Sequence, residues 1–284
     1  MSAAEPRRPR TGEAPPAAGP EPAPLVAERV TRRFAARRAR RAGGRDVVAV
    51  EEVSIELRPG ETLALVGESG SGKSTLGRLL VGLERPDAGE VRFDGVPLEA
   101  LDRAGRRRFR RRVQMVFQDP YASLDPRLTV GGALREVLHV HGLARGRAAE
   151  ERIAALLERV GLDADAARRY PHAFSGGQRQ RIGIARALAV EPALLIADEP
   201  VSALDVSVQA KILDLMLRLQ RDLGLGYLFI SHDLAVVRVV ADRVAVMKGG
   251  RVVEIGSADA VYRAPREEYT KALFAAVPRL PHST

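Results

Sequence analysis

The sequence predicts an α/β fold whose main sheet is open and parallel, and two observations predict it. A short apolar segment of buried-strand type, Thr62–Val66, leads directly into the glycine-rich residues 67–75, and Thr75–Leu83 then has the pattern of a helix. Further along the chain, three more apolar segments each end in polar residues. Ligands of open parallel sheets bind beyond the carboxyl ends of the strands, so this arrangement predicts one ligand site at that edge of the sheet.

The segments before residue 62 predict a tail followed by two strands. Residues 1–24 contain seven prolines among Ala, Gly, Glu and Arg. This composition predicts a disordered tail, because it cannot bury enough apolar surface to offset the entropy of ordering. Leu25–Thr31 and Val47–Leu57 are predicted strands, separated by the Arg-, Ala- and Gly-rich segment 35–46, and they lead into the strand before the glycine-rich loop.

Residues 67–75 read Gly-Glu-Ser-Gly-Ser-Gly-Lys-Ser-Thr, the GxxxxGKS pattern of a phosphate-binding loop. Glycines allow backbone angles that turn successive N–H groups onto phosphate oxygens at the positive end of the following helix. Lys73 adds a charge for the β- and γ-phosphates of a nucleotide, the Ser74 hydroxyl is suited to Mg²⁺, and Thr75 supports the loop. The alternative, a plain glycine turn, is disfavoured by the strand and helix on either side. The predicted nucleotide-binding residues of the loop are Gly67, Ser69, Gly70, Ser71, Gly72, Lys73, Ser74 and Thr75.

Polar side chains follow the three further predicted strands. The strands are Val113–Phe117, Ala193–Ala197 and Gly226–Ser231. The residues that follow them are Gln118, Asp198 with Glu199, and His232. We expect these side chains to converge with the phosphate loop on one site.

The carboxylates have the most specific chemistry at these strand ends. A buried strand fixes both rigidly, so Asp198 is predicted to hold Mg²⁺ opposite Ser74, and Glu199 to polarise the attacking water. Gln118 is predicted to orient water or complete the Mg²⁺ sphere, and His232 to hydrogen-bond the γ-phosphate. The alternatives are an acidic surface turn for the carboxylates and structural roles for the glutamine and the histidine.

A second glycine-rich turn reads Ser175-Gly176-Gly177-Gln178. Ser175 can cap a helix that begins near Gln178, and the two glycines allow a phosphate to approach the N-terminus of that helix. The chain therefore has two phosphate-binding devices. The residues alone leave open whether both bind one nucleotide in one subunit.

The remaining segments predict helices and a hairpin. Residues 127–174 contain helical patterns such as Ala148–Val160 and no obvious strand, which predicts a mainly helical insertion. Arg243–Lys248 and Val252–Ile255 flank two glycines and predict a hairpin with a two-residue turn. Residues 258–276 predict a short helical extension.

Composition narrows the functional classes. The net charge is +9, but only four of the 45 basic residues are lysine and only 4% of residues are aromatic. The arginine clusters 37–41 and 103–112 are therefore interpreted as solvated surface, with acidic lipids, a partner protein or nucleic acid as alternatives. The absence of cysteine excludes disulfides and thiolate-held metal sites. No stretch approaches about 18 consecutive apolar residues, so we expect a cytoplasmic protein that does not cross a membrane by itself.

These motifs, in this order, resemble the ATP-binding cassette of ABC transporters. The resemblance covers nearly all of residues 25–255 and is carried by 67–75, Gln118, 175–178, 194–199, 202–205 and His232. It is sharpest in Phe117–Arg127, Tyr170–Arg181 and Asp198–Ser207, which are similar to the oligopeptide/dipeptide importer group. Together with Tyr262–Pro278, they resemble the second or "F" ATPase subunit of those importers.

The resemblance implies a phosphate-loop (P-loop) NTPase fold with ATP and Mg²⁺ as ligands. This fold has a RecA-like core, an antiparallel β subdomain and an inserted helical subdomain. In this chain, the implied units are the tail 1–24, an ABC ATPase domain at 25–258 with its helical subdomain at 127–174, and an extension of the oligopeptide-transporter type at 259–284.

The resemblance also implies roles for individual residues. Gln118 is expected to sense the γ-phosphate and couple it to the membrane permease. Ser175 and Gly177 are expected to bind ATP held by the opposite subunit of a dimer, so that two ATP molecules lie between two subunits. Phe34 matches the aromatic position that stacks on adenine. Gln178 and Asp205 are further expected nucleotide-binding positions.

The implied function is ATP hydrolysis that powers the import of di- or oligopeptides at the cytoplasmic face of the cell membrane. The implied partners are a second homologous ATPase subunit in a heterodimer, two transmembrane permease subunits and an extracytoplasmic solute-binding protein, without nucleic acid. Similar systems import nickel and other solutes, which remain alternative cargoes.

Other classes fit the sequence less well. Soluble ABC ATPases that act on nucleic acid insert long coiled coils between the phosphate loop and the second glycine-rich turn, and no sustained heptads occur there. Translation-factor ABC proteins normally carry two cassettes in one chain. A phosphate-loop GTPase or kinase would lack the turn at 175–178.

Overall fold

The computed structural model describes residues 25–35, 46–119 and 124–275. The predicted tail 1–24, most of the arginine-rich segment 35–46, and the last part of the predicted extension lie outside the described residues. Within the described ranges, the strands are β1 Leu25–Phe34, β2 Val47–Leu57, β3 Thr62–Val66, β4 Ala88–Phe93, β5 Val96–Pro97, β6 Val113–Val116, β7 Leu194–Asp198, β8 Gly226–Ser231, β9 Arg243–Lys248 and β10 Arg251–Ser257. The α-helices are α1 Lys73–Leu80, α2 Arg103–Arg112, α3 Val130–Val140, α4 Gly146–Arg159, α5 Gly176–Leu188, α6 Val206–Leu223, α7 Leu234–Val240, α8 Ala258–Arg263 and α9 Glu268–Ala275.

The larger sheet has the order β10-β9-β3-β8-β7-β6. Strands β9, β3, β8, β7 and β6 run parallel, and β10 joins antiparallel to β9 through the predicted glycine turn. The register pairs Val66 with Ser231 and Val116 with Ala197, so the carboxyl ends of these strands lie level. The residues that follow them therefore lie along one edge of the sheet, as the sequence predicts.

The smaller sheet is antiparallel and has the order β2-β1-β4-β5. Strands β1 and β2 were predicted, but β4 and β5 were not. The sequence of β4, AGEVRF, has only two buried side chains, Val91 and Phe93, and its extended conformation comes from pairing with β1. A local pattern this weak does not predict a strand, because its partner lies far away in sequence.

Two apolar cores flank the larger sheet, one on each face, and β3 contributes side chains to both. Leu63 and Leu65 pack into the core shared with the smaller sheet and α1, whereas Ala64 and Val66 pack into the core shared with helices on the other face. Burial on both faces explains why β3 is a continuous apolar run without alternation. The phosphate loop thus extends from the end of a strand that is fixed on both sides.

Several helices differ in detail from the sequence prediction. Helix α1 begins at Lys73 and ends at Leu80, rather than spanning 75–83. The extension after residue 257 forms two helices, α8 and α9, because Pro265 cannot continue a helix. The structure describes all of 127–174, and this segment holds α3, α4 and short 3-10 turns without a strand.

The arginine cluster 103–112 is helix α2. Asp102 caps it by accepting a hydrogen bond from the Gly105 N–H at 2.6 Å, and Phe109 anchors it in the core against Phe93, with ring centroids 5.4 Å apart. The sequence predicts a solvated basic surface at these residues, without a helix or strand. Among the helices in the described residues, none combines the length and the apolar character needed to span a bilayer.

Candidate active site

The phosphate loop connects β3 to α1 and packs tightly against neighbouring backbone. Gly67 has a φ of 151° and Gly72 a φ of 105°, in the region that side chains disfavour. A Cβ atom at Gly67 would lie 2.1 Å from the Met247 carbonyl oxygen, and one at Gly72 would lie 1.9 Å from the Ala49 carbonyl oxygen. Both glycines are therefore required by backbone angle and by space.

The hairpin turn between β9 and β10 holds this loop. The Gly250 N–H donates to the Ser71 carbonyl oxygen at 3.0 Å, and the Gly250 carbonyl accepts from the Glu51 N–H at 2.8 Å. Ser69 and Gly70 form the exposed tip of the loop, whereas Ser71 is buried. The sequence predicted this hairpin, but not its contact with the loop.

Lys73 begins α1 and is 5% exposed. Its Nζ donates to the carbonyl oxygens of Gly67 at 2.8 Å and Glu68 at 2.7 Å. Burial lowers the pKa of Lys73, and the charges of Glu199, Asp198 and Glu68 oppose that shift. A buried ammonium group at the start of a helix can form charge-assisted hydrogen bonds to phosphate oxygens.

Ser74 and Asp198 meet across the site, as predicted. The Ser74 hydroxyl donates to the Asp198 Oδ1 at 2.9 Å, and Asp198 is 4% exposed at the end of β7. Burial raises the pKa of Asp198, the Ser74 hydrogen bond lowers it, and the charge of Glu199 raises it again. A hydroxyl and a carboxylate held together in this way are hard oxygen donors, and this donor set fits Mg²⁺. Thr75 follows half-buried in α1.

Glu199 has an unusual backbone conformation, with a φ of 45°. Its N–H donates to the Ile230 carbonyl oxygen at 3.0 Å, and its own carbonyl accepts from the Ser202 hydroxyl at 3.1 Å. These two hydrogen bonds hold the turn after β7. The Glu199 carboxylate has other partners than that of Asp198, as its position one residue further along predicts.

Gln118 and His232 both contact the Glu199 carboxylate. The Gln118 Nε2 donates to one carboxylate oxygen at 3.0 Å, and the His232 Nδ1 lies 3.1 Å from the other. The sequence predicts contacts of these two residues with water, Mg²⁺ or phosphate, and it does not indicate that they meet at Glu199. The structure therefore brings together the polar residues of three strand ends around one candidate base.

Phe34 ends β1, and its side chain is 37% exposed. The guanidinium of Arg32 lies 5.0 Å from the centre of its ring, while bonding to Glu84 at 3.1 Å and Asp87 at 3.0 Å. This network fixes a cation against an exposed ring, an arrangement compatible with the expected stacking of adenine.

The Ser175 turn forms the start of α5, which begins at Gly176 rather than near Gln178. Ser175 and Gln178 form a capping box, in which the Gln178 N–H donates to the Ser175 hydroxyl at 3.3 Å and the Ser175 N–H donates to the Gln178 Oε1 at 3.0 Å. A Cβ atom at Gly177 would lie 2.3 Å from the Val208 Cγ1 in α6. Gly177 is thus needed for helix packing, a role that the sequence analysis missed.

Asp205 caps the neighbouring helix α6. Its side chain accepts from the Val208 N–H at 3.0 Å and from the Ser207 hydroxyl at 2.8 Å. Because Gly177 in α5 packs on Val208 in α6, the N-termini of the two helices lie side by side. Both caps bond within their own helix starts, and no hydrogen bond assigned to Ser175, Gln178 or Asp205 in the described residues leads to the phosphate loop.

Tyr269 in α9 is a site residue that sequence reasoning missed. Its hydroxyl accepts a hydrogen bond from the Glu68 N–H of the phosphate loop at 3.3 Å. The two residues are 201 positions apart, and no local pattern indicates that they meet.

The profile of the ABC transporter family matches residues 50–202. The glutathione import ATP-binding protein GsiA of Pectobacterium atrosepticum is 58% identical over 234 residues, which cover 82% of this chain and 38% of that protein. GsiA of Escherichia coli has the same identity and coverage. The chain thus spans less than two fifths of the length of these curated relatives.

Solved structures of similar proteins also match. The dimeric ATP-binding cassette MJ0796, in a post-hydrolysis state bound to ADP and Pi, aligns with a TM-score of 0.69 and 31% identity, over 82% of this chain and 98% of that one. CbiO1 from Clostridium perfringens, part of the complex cbiONQ, aligns with a TM-score of 0.68 and 28% identity, over 89% of this chain and 90% of that one.

Proposed function

Because this chain belongs to the ABC transporter family, we propose that it is the ATP-hydrolysing subunit of a membrane importer for di- or oligopeptides. The fold class predicted from the sequence is confirmed by its likeness to solved cassettes. The observation that carries the proposed activity is the meeting of Lys73, the Ser74–Asp198 pair and Glu199 at one edge of the larger sheet.

The proposed ligands are ATP and Mg²⁺. The phosphate loop would bind the phosphates through its backbone N–H groups and Lys73. Ser74 and Asp198 would hold the metal, with the Gln118 amide oxygen as a further donor. Mg²⁺, when bound, neutralises negative charge on the phosphate oxygens. Phe34 would stack on adenine.

In the proposed reaction, Glu199 acts as the general base. Water attacks the γ-phosphorus, the bond from that phosphorus to the β–γ bridging oxygen breaks, and a proton of the water passes to Glu199. Gln118 donates to one Glu199 oxygen and His232 contacts the other, so both orient the carboxylate. His232 is also proposed to contact the γ-phosphate.

The proposed cargo and partners follow from the family and from the names of the relatives. Glutathione is a tripeptide, and the curated relatives are named for its import. We therefore propose a peptide-like cargo, two membrane permease subunits, an extracytoplasmic solute-binding protein and a second homologous ATPase subunit. The chain would work at the cytoplasmic face of the membrane, with Ser175, Gly177, Gln178 and Asp205 directed at nucleotide held by the other ATPase.

The test is an ATPase measurement on the complex reconstituted with its permeases in lipid vesicles. We expect slow hydrolysis by the purified chain, faster hydrolysis in the complex, and further stimulation by a binding protein loaded with glutathione or a dipeptide. Lys73→Ala should abolish all three signals. Stimulation by a nickel chelate alone would overturn the peptide cargo, and stimulation of the purified chain by DNA or RNA would overturn the transport function.

A further inference from the structure

The segment α8–α9, which packs beside the site, touches the phosphate loop through one side chain. The Glu68 N–H donates to the Tyr269 hydroxyl at 3.3 Å. Lys248 lies over the aromatic ring of Tyr269, with its Nζ 4.6 Å from the ring centre. Lys248 ends β9 immediately before the glycine turn that bonds to Ser71, so Tyr269 and this turn hold the loop at points three residues apart.

Helix α9 is itself firmly held, so Tyr269 is a fixed point. The Glu254 carboxylate in β10 accepts hydrogen bonds from the N–H groups of Arg266 at 2.9 Å and Glu267 at 3.2 Å, just before the helix begins. Thr270, next to Tyr269, is 0% exposed. Residues in α9 also pack against the core that contains Ala64 and Val66 of the larger sheet.

The preceding helix α8 is joined to a different part of the molecule. The Tyr262 hydroxyl donates to the Leu234 carbonyl oxygen in α7 at 2.8 Å, and the Tyr262 ring lies 4.6 Å from that of Phe274 in α9. Both tyrosines are half-buried, and the Tyr262 hydroxyl bonds to α7 instead of the phosphate loop. The segment thus offers two tyrosine hydroxyls with separate partners.

We propose that Tyr269 is a positioning residue that holds the phosphate loop at Glu68 while nucleotide binds. This inference rests on the proposed function as an ATPase. The backbone of Glu68 is held at both of its peptide groups, because its N–H donates to Tyr269 and its carbonyl accepts from Lys73 at 2.7 Å. When Lys73 turns towards the β- and γ-phosphates, it exchanges this carbonyl for phosphate oxygens. Tyr269 then keeps Glu68 in place.

The test compares Tyr269→Phe with Tyr262→Phe in the full chain. Each change removes one hydroxyl and one hydrogen bond and keeps the ring. The net value of one hydrogen bond predicts that Tyr269→Phe weakens MgATP binding by about 3- to 10-fold, measured by titration calorimetry. The KM for ATP should rise to a similar extent and kcat should change less than twofold, because the groups around the γ-phosphate are untouched. Tyr262→Phe should leave MgATP affinity unchanged and lower the melting temperature, because it removes the hydrogen bond to α7.

Amide hydrogen exchange gives a second readout that needs no nucleotide. In Tyr269→Phe, the peptide covering residues 67–72 should exchange faster than in the wild type, and in Tyr262→Phe it should not. Wild-type affinity and exchange in Tyr269→Phe would overturn the inference, as would equal weakening of MgATP binding by both variants. A wild-type chain that fails to bind MgATP would overturn the proposed function instead, and the exchange measurement would still decide whether Tyr269 holds the loop.

Discussion

At the scale of single residues, Glu199 shows how the site combines strain with function. A glutamate at a φ of 45° is in a left-handed conformation that costs about 1–2 kcal/mol for a residue with a side chain. Two hydrogen bonds hold this conformation: its N–H donates to the Ile230 carbonyl oxygen, and its carbonyl accepts from the Ser202 hydroxyl. The result is that adjacent carboxylates in sequence serve different partners, with Asp198 facing Ser74 and Glu199 facing Gln118 and His232.

We predict that Glu199→Gln keeps MgATP affinity and lowers turnover by about 10²-fold or more, because it removes the base and leaves Lys73 and Asp198 in place. Binding by calorimetry and steady-state hydrolysis measure the two effects. The matched control is Glu191→Gln. Glu191 also has a positive φ, 56°, but it precedes β7 at the opposite end of the strand and pairs with Arg152 at 2.7 Å. Near-normal hydrolysis by Glu199→Gln would contradict the assignment of the base.

At the scale of elements, the starts of α5 and α6 form one unit. The capping box of Ser175 and Gln178 begins α5, Asp205 caps α6, and the missing side chain of Gly177 lets Val208 approach. The exposed hydroxyl of Ser175 and carboxylate of Asp205 thereby lie on neighbouring helix ends. Helix N-termini of this kind attract anions through their N–H groups and dipoles.

We predict that Gly177→Ala lowers the free energy of unfolding by about 1–3 kcal/mol, because the new methyl group would overlap Val208. Gly183→Ala is the matched control in the same helix, since a Cβ atom there meets no atom within 4 Å. It should instead raise stability by up to about 1 kcal/mol through helix propensity. Urea denaturation of both variants measures the difference, and equal effects would contradict the packing role of Gly177.

At the scale of the whole molecule, the chain has one phosphate loop and one Ser175 turn, and no hydrogen bond assigned to Ser175 in the described residues joins the two. The hydrogen bonds of Ser175 stay within α5, while Lys73 bonds within its own loop. The similar solved cassette MJ0796 is dimeric and bound to ADP and Pi.

We predict that Ser175→Arg abolishes hydrolysis in the reconstituted complex and leaves MgATP affinity of the isolated chain nearly unchanged, because the arginine would place bulk and charge against the neighbour's nucleotide. Ser257→Arg is the matched control. Ser257 is also an exposed N-cap serine, bonded to the Ala260 N–H at 3.3 Å, but it caps α8. It should lose only the cap, about 1 kcal/mol of stability, and keep coupled hydrolysis. Lost MgATP affinity in isolated Ser175→Arg would show that Ser175 serves its own chain's site.

The sequence by itself determined the elements that local patterns encode. The glycine spacing of 67–75 specifies a loop of positive φ angles, the apolar runs specify buried strands, and the two glycines after β9 specify a hairpin turn. Because parallel strands end at one edge, the sequence was also sufficient to predict that Ser74 and Asp198 meet. These features depend on residues that are close together in the chain or on the general geometry of a sheet.

Only the tertiary structure decided which side chains touch across the site. Gln118 and His232 meet at Glu199, Tyr269 reaches Glu68, and Gly177 packs on Val208. Strand β4 likewise depends on its pairing with β1, and helix α2 on the burial of Phe109. The local sequence pattern of each element is weak. Such contacts depend on register and packing between segments that are far apart in sequence, and hydrophobic periodicity carries no information about which distant segment a given side chain will face.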